Sequence, residues 1–137
     1  MRCIVLLMST DESPPFKKPR IKSAPKIREL FWCDFQEDAL NPEFWKRRPV
    51  IIISKTSKVK GSVTVVPCST QAQTSRWAFP LQTTIDGKAA WAICNYPTTV
   101  STSRLVAHQN HIRRLKSDEF KSMLAVVLDY LPSIEKS

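Results

Sequence analysis

Residues 50–53 (Val-Ile-Ile-Ile) are four consecutive apolar positions, and they predict a strand that is buried on both faces. A half-exposed strand would alternate apolar and polar residues instead. Pro49 precedes the run and has no backbone N–H, so it suits the first residue of a strand. Arg47 and Arg48 are therefore predicted to be the last loop residues before this buried strand.

Aromatic and β-branched residues recur in short runs along the chain, which is typical of further strands. Asp86-Gly87 suits a two-residue hairpin turn, and Pro80 favours an edge strand for the run that contains it. The predicted strands lie within residues 29–35, 49–54, 62–67, 77–81, 89–94 and 98–106.

The last element is an amphipathic helix. Apolar residues at positions 120, 123, 124, 127, 128 and 131 fall on one helical face and predict a packed core stripe. Ser117 is the predicted N-cap, and Pro132 ends the helix.

Together these elements predict a mainly β (α+β) fold, a strongly bent antiparallel sheet or small barrel with a C-terminal α-helix packed on it. Residues 1–27 are rich in Pro and Lys/Arg, and we expect a flexible basic arm there. The folded domain is predicted at 28–132, followed by a short tail at 133–137.

The chain is basic, with 21 Lys and Arg against 12 Asp and Glu and a net charge of +9. This balance favours a polyanionic partner, with nucleic acid first, although solubility alone is another reading. The two glycines form no GxGxxG or Walker pattern, which argues against a glycine-rich phosphate loop.

The four cysteines are isolated and have no zinc-ligand spacing, so we expect free buried thiols in a reducing cytoplasm and no metal. The apolar run at residues 3–8 is short for a signal peptide and far too short to span a membrane. The sequence therefore predicts a cytoplasmic protein with no membrane association.

Candidate chemistry lies at two strand ends. Arg48 precedes one strand, and Ser69 and Thr70 follow another. A guanidinium and a hydroxyl that converge can hold a phosphodiester, and RNA supplies its own nucleophile in the 2′-OH. The alternative is an arginine pair that merely ends a strand at the surface.

Several blocks then occur in a recognisable order: residues 30–35 (LFWCDF), 48–54 (RPVIIIS) after Glu43, 65–70 (VVPCST) and 94–100 (CNYPTTV), followed by the terminal helix. Their order and spacing resemble the MazF/PemK (Kid) family of bacterial toxin endoribonucleases. The resemblance covers roughly residues 27–131.

This resemblance implies an SH3-like barrel and a homodimer. It also implies metal-independent cleavage of single-stranded RNA, without a cofactor, to a 2′,3′-cyclic phosphate and a 5′-hydroxyl. The expected partners are single-stranded RNA and a cognate antitoxin whose acidic tail covers the RNA groove.

Residue by residue, Arg48 matches the family's catalytic arginine, and Ser69 stands in the place of its catalytic threonine, with Thr70 beside it. Glu43 matches a loop carboxylate. In the PemK/Kid branch an Arg and an Asp flank the position of Cys94, whereas this chain has Ile93 and Asn95. That branch's acid and base are therefore missing, and the Arg-plus-hydroxyl arrangement of the MazF branch remains.

RNA contacts are predicted for a basic and aromatic set, in which the cations contact the RNA backbone and Trp77 and Tyr96 are candidates for base stacking. His108 and His111 could act as acid and base or be solvated loop residues. The predicted RNA-binding residues are Glu43, Lys46, Arg47, Arg76, Trp77, Asn95 and Arg104.

Two rival functions stay open. A degenerate family member could hold RNA or antitoxin without cutting, which the residues Ile93 and Asn95 favour. A gyrase poison on the related CcdB-like fold would break DNA and leave RNA intact, but it gives Arg48 and Ser69 no role.

Overall fold

A computed structural model of the 137-residue chain describes residues 15–35, 40, 44–107 and 111–134. These residues form a mainly antiparallel, curled half-barrel sheet with one C-terminal helix, as predicted. The elements in the described part of the chain are β1 (Glu29–Asp34), β2 (Arg47–Ile52), β3 (Ser62–Ser69), β4 (Ala78–Pro80), β5 (Trp91–Ile93), β6 (Thr98–Ser101), β7 (Leu105–Ala107), β8 (Arg113–Arg114) and α1 (Ser117–Tyr130).

The sheet has the order β4-β5-β3-β2-β1-β7, while β6 pairs with β3 and β8 pairs with β1. The buried run is the central strand β2, in which Val50, Ile51 and Ile52 are fully buried. Their neighbours on both sides are antiparallel strands, with Leu30 opposite Ile51 on one side and Val66 on the other. The prediction of a strand buried on both faces is confirmed.

Two hydrophobic cores lie on opposite faces of the sheet. One contains Leu30, Ile51 and Val66 and is covered by Phe120 and Met123 of α1. The other lies inside the curl of the sheet, where β1, β2, β3, β6 and β7 contribute side chains. Alternate residues of the central strands serve the two cores, because successive side chains of a strand point to opposite faces.

The details of several predicted elements differ. Arg47 and Arg48 lie within β2 and are not in the preceding loop, since Arg47 pairs with Asp34 and Arg48 with Cys33 of β1. The region 98–106 holds two strands separated by a 3₁₀ turn at Thr102–Arg104. β4, which contains Pro80, is an edge strand as predicted. Pro80 has no N–H to donate, and an edge strand has a hydrogen-bonded neighbour on one side only.

The predicted hairpin turn is present, since Ile85 and Lys88 form a β-bridge around Asp86 and Gly87, which have φ values of 52° and 73°. The predicted cap is wrong: Ser117 is the first residue of α1, and the N-cap is Lys116, which makes no side-chain capping hydrogen bond.

The stretch before β1 lies against the sheet. Ile21 is buried in the second core, and Arg20 forms an ion pair with Asp34 at 2.9 Å. Arg20 and Ile21 of the predicted arm therefore contact the sheet, while residues 1–14 of the arm lie outside the described residues. The division into an arm at 1–27, a domain at 28–132 and a tail at 133–137 stays a prediction.

Candidate active site at the ends of two strands

The predicted catalytic residues lie at adjacent strand ends. In the β2–β3 pair, Val50 is opposite Pro67, and the same register, continued by two residues, places Arg48 opposite Ser69. Residues that are opposite each other in an antiparallel pair project to the same face. The strand pairing ends at Val50 and Pro67, and its continuation assigns the guanidinium and the hydroxyl to the same face at one end of the sheet.

Arg48 as a residue is half-buried, and its Nε donates an exposed hydrogen bond to the carbonyl of Trp45 at 3.2 Å. Among the described residues, no carboxylate lies within ion-pair distance of it. A cation that is oriented by a carbonyl and has no described anionic partner is suited to bind a phosphate.

The hydroxyl of Ser69 accepts hydrogen bonds from the backbone N–H of Gln71 at 3.1 Å and from Nε2 of Gln73 at 3.5 Å. Both contacts use lone pairs of Oγ, so its own proton can be donated to a phosphate oxygen. Thr70, the other predicted hydroxyl, follows directly after β3 and is exposed.

Arg47 occupies a different environment from Arg48, although the two are adjacent. Its Nε and Nη2 donate to the two carboxylate oxygens of Asp34 at 2.7 and 3.1 Å, a bidentate contact. Nη2 of Arg20 donates to the same carboxylate at 2.9 Å. These contacts hold the pKa of Asp34 at about 2, chiefly through the hydrogen bond from Arg47. Arg47 is therefore already bound to an internal anion.

A cavity of about 580 Å³ adjoins this end of the sheet and has both aromatic and polar walls. Phe44 contacts Phe35 and Tyr96, with ring centroids 6.0 and 5.3 Å apart. Asn95 and Arg104, both predicted to bind RNA, also line the cavity.

The cavity is on the same side of the β1–β2 pair as the side chain of Arg48. Cys33 is opposite Arg48, and Phe35 follows Cys33 by two residues along the chain, so their side chains share a face. Arg104 is fixed there by a hydrogen bond of 2.8 Å from its Nη1 to the backbone carbonyl of Asp34.

The structure separates two predicted residues from this group. Trp77 packs edge-to-face against Tyr130 at the end of α1, with ring centroids 5.1 Å apart. Arg76 lies over the Trp77 ring at 4.3 Å and pairs with Asp129 at 3.4 Å. Both therefore belong to the contact between the β4 edge and the helix, away from the cavity.

The remaining predicted residues are Lys46, which directly precedes β2, the carboxylate Glu43 and the two histidines. Lys46 is exposed, has a φ of 65°, and places its Nζ 3.9 Å from the centroid of the Trp45 ring. Glu43 and His108 lie outside the described residues. The other histidine, His111, is exposed.

The buried thiols are unsuited to act as nucleophiles. Cys33, Cys68 and Cys94 are free and buried, as predicted for these three. Burial raises the pKa of Cys33 to about 12 and that of Cys94 to about 11, so almost no thiolate is present near neutral pH. Among the described residues, no group of three His, Cys, Asp or Glu side chains could hold a metal ion.

Sequence reasoning missed Asp34, Arg20 and the aromatic pair Phe35 and Phe44. Asp34 comes five residues after the start of β1 in an aromatic run, and nothing in the run marks it as a partner for arginines. The pairing of Asp34 with Arg47 could have been predicted only from the register of the β1–β2 hairpin, and that register depends on the length of the loop between the two strands.

The described part of the chain contains no helix long and apolar enough to cross a membrane.

The candidate site combines a phosphate-binding cation, a hydroxyl on the neighbouring strand and a cavity with aromatic walls. Such an arrangement can hold a single-stranded polynucleotide by its phosphates and an unstacked base.

Comparison with solved structures returns the same fold. MazF from Deinococcus radiodurans aligns with a TM-score of 0.62 and 14% identity, covering 79% of this chain and 96% of that one. The Mycobacterium tuberculosis toxin MazF-mt6 aligns with a TM-score of 0.57 and 17% identity over 75% and 95% of the two chains.

An endoribonuclease in complex with its cognate antitoxin, from a mycobacterial species, aligns with a TM-score of 0.57 and 14% identity over 80% and 99% of the two chains. No curated protein matches the sequence. The family model described as PemK-like, MazF-like toxin of type II toxin-antitoxin system matches residues 26–130, and the chain belongs to this family.

Proposed function

We propose that this toxin is a metal-independent endoribonuclease that cleaves single-stranded RNA to a 2′,3′-cyclic phosphate and a 5′-hydroxyl. The observation that supports it most directly is the register of β2 and β3, which puts Arg48 and Ser69 at neighbouring strand ends. Membership of the family and the basic charge of +9 agree with an RNA substrate.

In this proposal the 2′-OH of the substrate attacks the adjacent phosphorus, and the bond from phosphorus to the 5′-oxygen breaks. Arg48 stabilises the negative charge that grows on the phosphoryl oxygens. Ser69 donates a hydrogen bond to one of those oxygens and orients the group, with Thr70 next to it. The 2′-OH gives its proton to water as it attacks, and the 5′-oxygen takes a proton from water as it leaves as a hydroxyl, so the protons balance.

The RNA strand continues from this point into the aromatic cavity. Tyr96 and Phe44 offer rings on which an unstacked base can lie, and Asn95 offers an amide to its edge. Arg104 is the cation of this cavity, and Lys46 is an exposed cation close to Arg48. Arg47, Arg76, Trp77 and Glu43 keep their predicted RNA-binding role only as a hypothesis.

The test is cleavage of a mixed-sequence RNA by the purified chain with and without EDTA, followed by mapping of the RNA ends. We expect equal cleavage in both conditions and cyclic phosphate ends. Arg48→Ala should lower the rate about 10²- to 10³-fold, the usual effect of removing one transition-state donor.

Lys121→Ala is a matched control, because it removes one positive charge from an exposed position of α1. It should cleave at the parental rate. Cleavage by Arg48→Ala at the parental rate would rule out the assigned role, and loss of activity in EDTA would rule out the metal-independent mechanism.

A non-cutting family member is the second candidate, and Ile93 and Asn95 favour it. Ile93 is buried with 9% of its surface exposed and carries no charge, and Asn95 has no titratable group. This candidate predicts that RNA binds to the wild type and stays intact in the same assay.

We further propose that the toxin acts in the cytoplasm as a homodimer and is inhibited by a cognate antitoxin. The antitoxin bound to the mycobacterial endoribonuclease supports the second partner. Exposed apolar side chains at the end of α1, Leu128 and Leu131, support a protein interface there. Sedimentation of the wild type should give a dimer, and a monomer at micromolar concentration would contradict it.

A further inference from the structure

A second cationic concavity lies at the other end of β2. This pocket, called here the distal pocket, has a volume of about 480 Å³ and is lined by Lys26, Arg28, Lys55, Thr56 and Arg114, with Pro25 and Ile27 beside them. Four of these side chains are positively charged, and no carboxylate is among the lining residues. Their mutual repulsion is relieved when an anion binds among them.

Arg28 is the residue that makes this pocket unusual. Its Nε is fully buried and has no hydrogen-bond partner among the described residues. A buried donor without an acceptor is destabilising, and more so when it is charged. The buried Nε is itself out of reach of an anion in the pocket, but the charged guanidinium that carries it lines the pocket and attracts one.

The backbone of Arg28 is also held in a rare conformation, with a φ of 80°. Its N–H donates to the carbonyl of Ile52 at 2.9 Å, and its carbonyl accepts from the N–H of Leu115 at 2.9 Å. Left-handed backbone in a non-glycine residue is costly and persists where the surrounding structure enforces it. These two bonds fix the position from which the guanidinium enters the pocket.

Only part of the positive charge is compensated internally. Glu29 is buried, pairs with Arg114 at 3.3 Å and accepts the backbone N–H of Lys26 at 2.7 Å. It thus offsets the charge of Arg114. Lys26, Arg28 and Lys55 have no ion pair with a described carboxylate.

The distal pocket and the candidate active site are far apart. Lys55 follows Arg48 by seven residues, of which those up to Ile52 belong to β2, so the strand alone separates the two sites by on the order of 13 Å at about 3.3 Å per residue. A single phosphate cannot contact both. A single strand of RNA several nucleotides long can reach from one to the other.

From this geometry we propose that the distal pocket binds a phosphate group of the RNA strand, several nucleotides away from the phosphate held by Arg48. The inference rests on the proposed function for the identity of its ligand. It makes the pocket an anchor that favours long substrates, because short RNA can fill the active site without reaching it.

The test is binding of uncleavable 2′-O-methyl RNA to the full chain, measured by fluorescence anisotropy at several salt concentrations. Two lengths are compared, about 4 and about 16 nucleotides, the limits of usual single-strand site sizes. The variants are Lys55→Gln and Arg28→Gln. Lys121→Gln is the matched control, since it removes an equal charge from an exposed site outside the pocket.

We expect each pocket variant to weaken binding of the longer RNA at least about threefold, and its salt slope to fall by about 0.7, the value for one phosphate contact on a single strand. Binding of the short RNA should not change, and the control should match the wild type at both lengths. Lys55 is exposed, so its variant keeps the test valid if Arg28→Gln fails to fold.

Equal binding of the longer RNA by Lys55→Gln, any folded Arg28→Gln variant and the control would overturn the proposal. A second measurement follows the amide NMR shifts of Arg28 and Thr56 during titration with pyrophosphate, an oligoglutamate peptide or RNA. Shifts with pyrophosphate or the peptide and none with RNA would also overturn the proposal.

The two proposals fail separately. If the wild type cuts RNA and the pocket variants bind it normally, only the distal pocket is wrong. If the wild type binds the longer RNA through Lys55 and never cuts it, only the endoribonuclease activity is wrong.

Discussion

Asp34 accepts hydrogen bonds from Arg47 and Arg20, and its carboxylate is bound on both oxygens. Its side chain is 35% exposed, so solvent screens part of the attraction. Because the folded pKa is about 2 and the ordinary value is 3.8, the ionised form is favoured by folding. This contribution is fully present above pH 4 and is lost as the pH falls toward 2.

Replacing Asp34 by Asn should therefore destabilise the chain by about 1 kcal/mol at pH 7, after allowance for screening. The difference from the wild type should shrink as the pH falls from 4 to 2. Urea denaturation across this range measures it. A difference that stays constant with pH would mean that the ion pairs with Arg47 and Arg20 contribute nothing.

Single residues were predictable only where their chemistry appears in the sequence itself. Arg48 and Ser69 were predicted near strand ends from Pro49 and Pro67, although β2 begins two residues before Pro49 and β3 ends two residues after Pro67. The partner of Arg47 was not predictable, because it depends on which residue of β1 the register places opposite.

The loop between β4 and β5 is hydrogen-bonded to the first turn of α1. Glu119 is buried at 5% exposure, and its carboxylate accepts the backbone N–H groups of Gln82 and Thr83 and the hydroxyl of Thr83 at 2.8 Å. A buried carboxylate that accepts three hydrogen bonds therefore connects the β4–β5 loop to α1.

We expect Glu119→Ala to destabilise the fold by about 2–3 kcal/mol, because two loop amides lose a charged acceptor in a buried site. The measurement is the midpoint of urea unfolding. Thr83→Val removes one of the three donors and should have a smaller effect. Equal stability of Glu119→Ala and the wild type would show that the loop holds its place without this contact.

The start of α1 offers a stabilising substitution. Lys116 is the N-cap and makes no capping bond, whereas Ser at this position could accept from an exposed N–H of the first turn. Lys116→Ser should raise stability by about 0.5–1 kcal/mol, and Ser117→Ala should be close to neutral. Thermal unfolding distinguishes the two positions. A loss of about 1 kcal/mol in Ser117→Ala would instead make Ser117 the cap.

The elements themselves were largely predictable, and their boundaries were less so. The buried run at residues 50–53 and the helical stripe both stand out in hydrophobicity, so β2 and α1 were found. The helical stripe predicts core positions up to its end, yet Leu128 is 59% exposed although Met123 and Val127 are buried. Periodicity does not show where a partner surface ends.

Taken as a whole, the molecule has two cationic regions at opposite ends of its central strand and a cavity with aromatic walls beside the first. Net charge predicted a polyanionic partner, but a total of +9 does not tell where the charge lies. Several of the 21 basic side chains are paired with internal carboxylates, as Arg47 and Arg20 are with Asp34 and Arg76 is with Asp129. Arg48 stands apart from these pairs among the described residues.

The central claim is that Arg48 and Ser69 act on one phosphate. Single-turnover cleavage rates of Arg48→Ala, Ser69→Ala and the double variant test it most directly, because groups that act as a unit have non-additive effects. We expect each single change to lower the rate at least about 10²-fold and the double variant to be little slower than Arg48→Ala. A double variant whose loss equals the product of the single losses, or a wild-type rate in Arg48→Ala, would contradict the account.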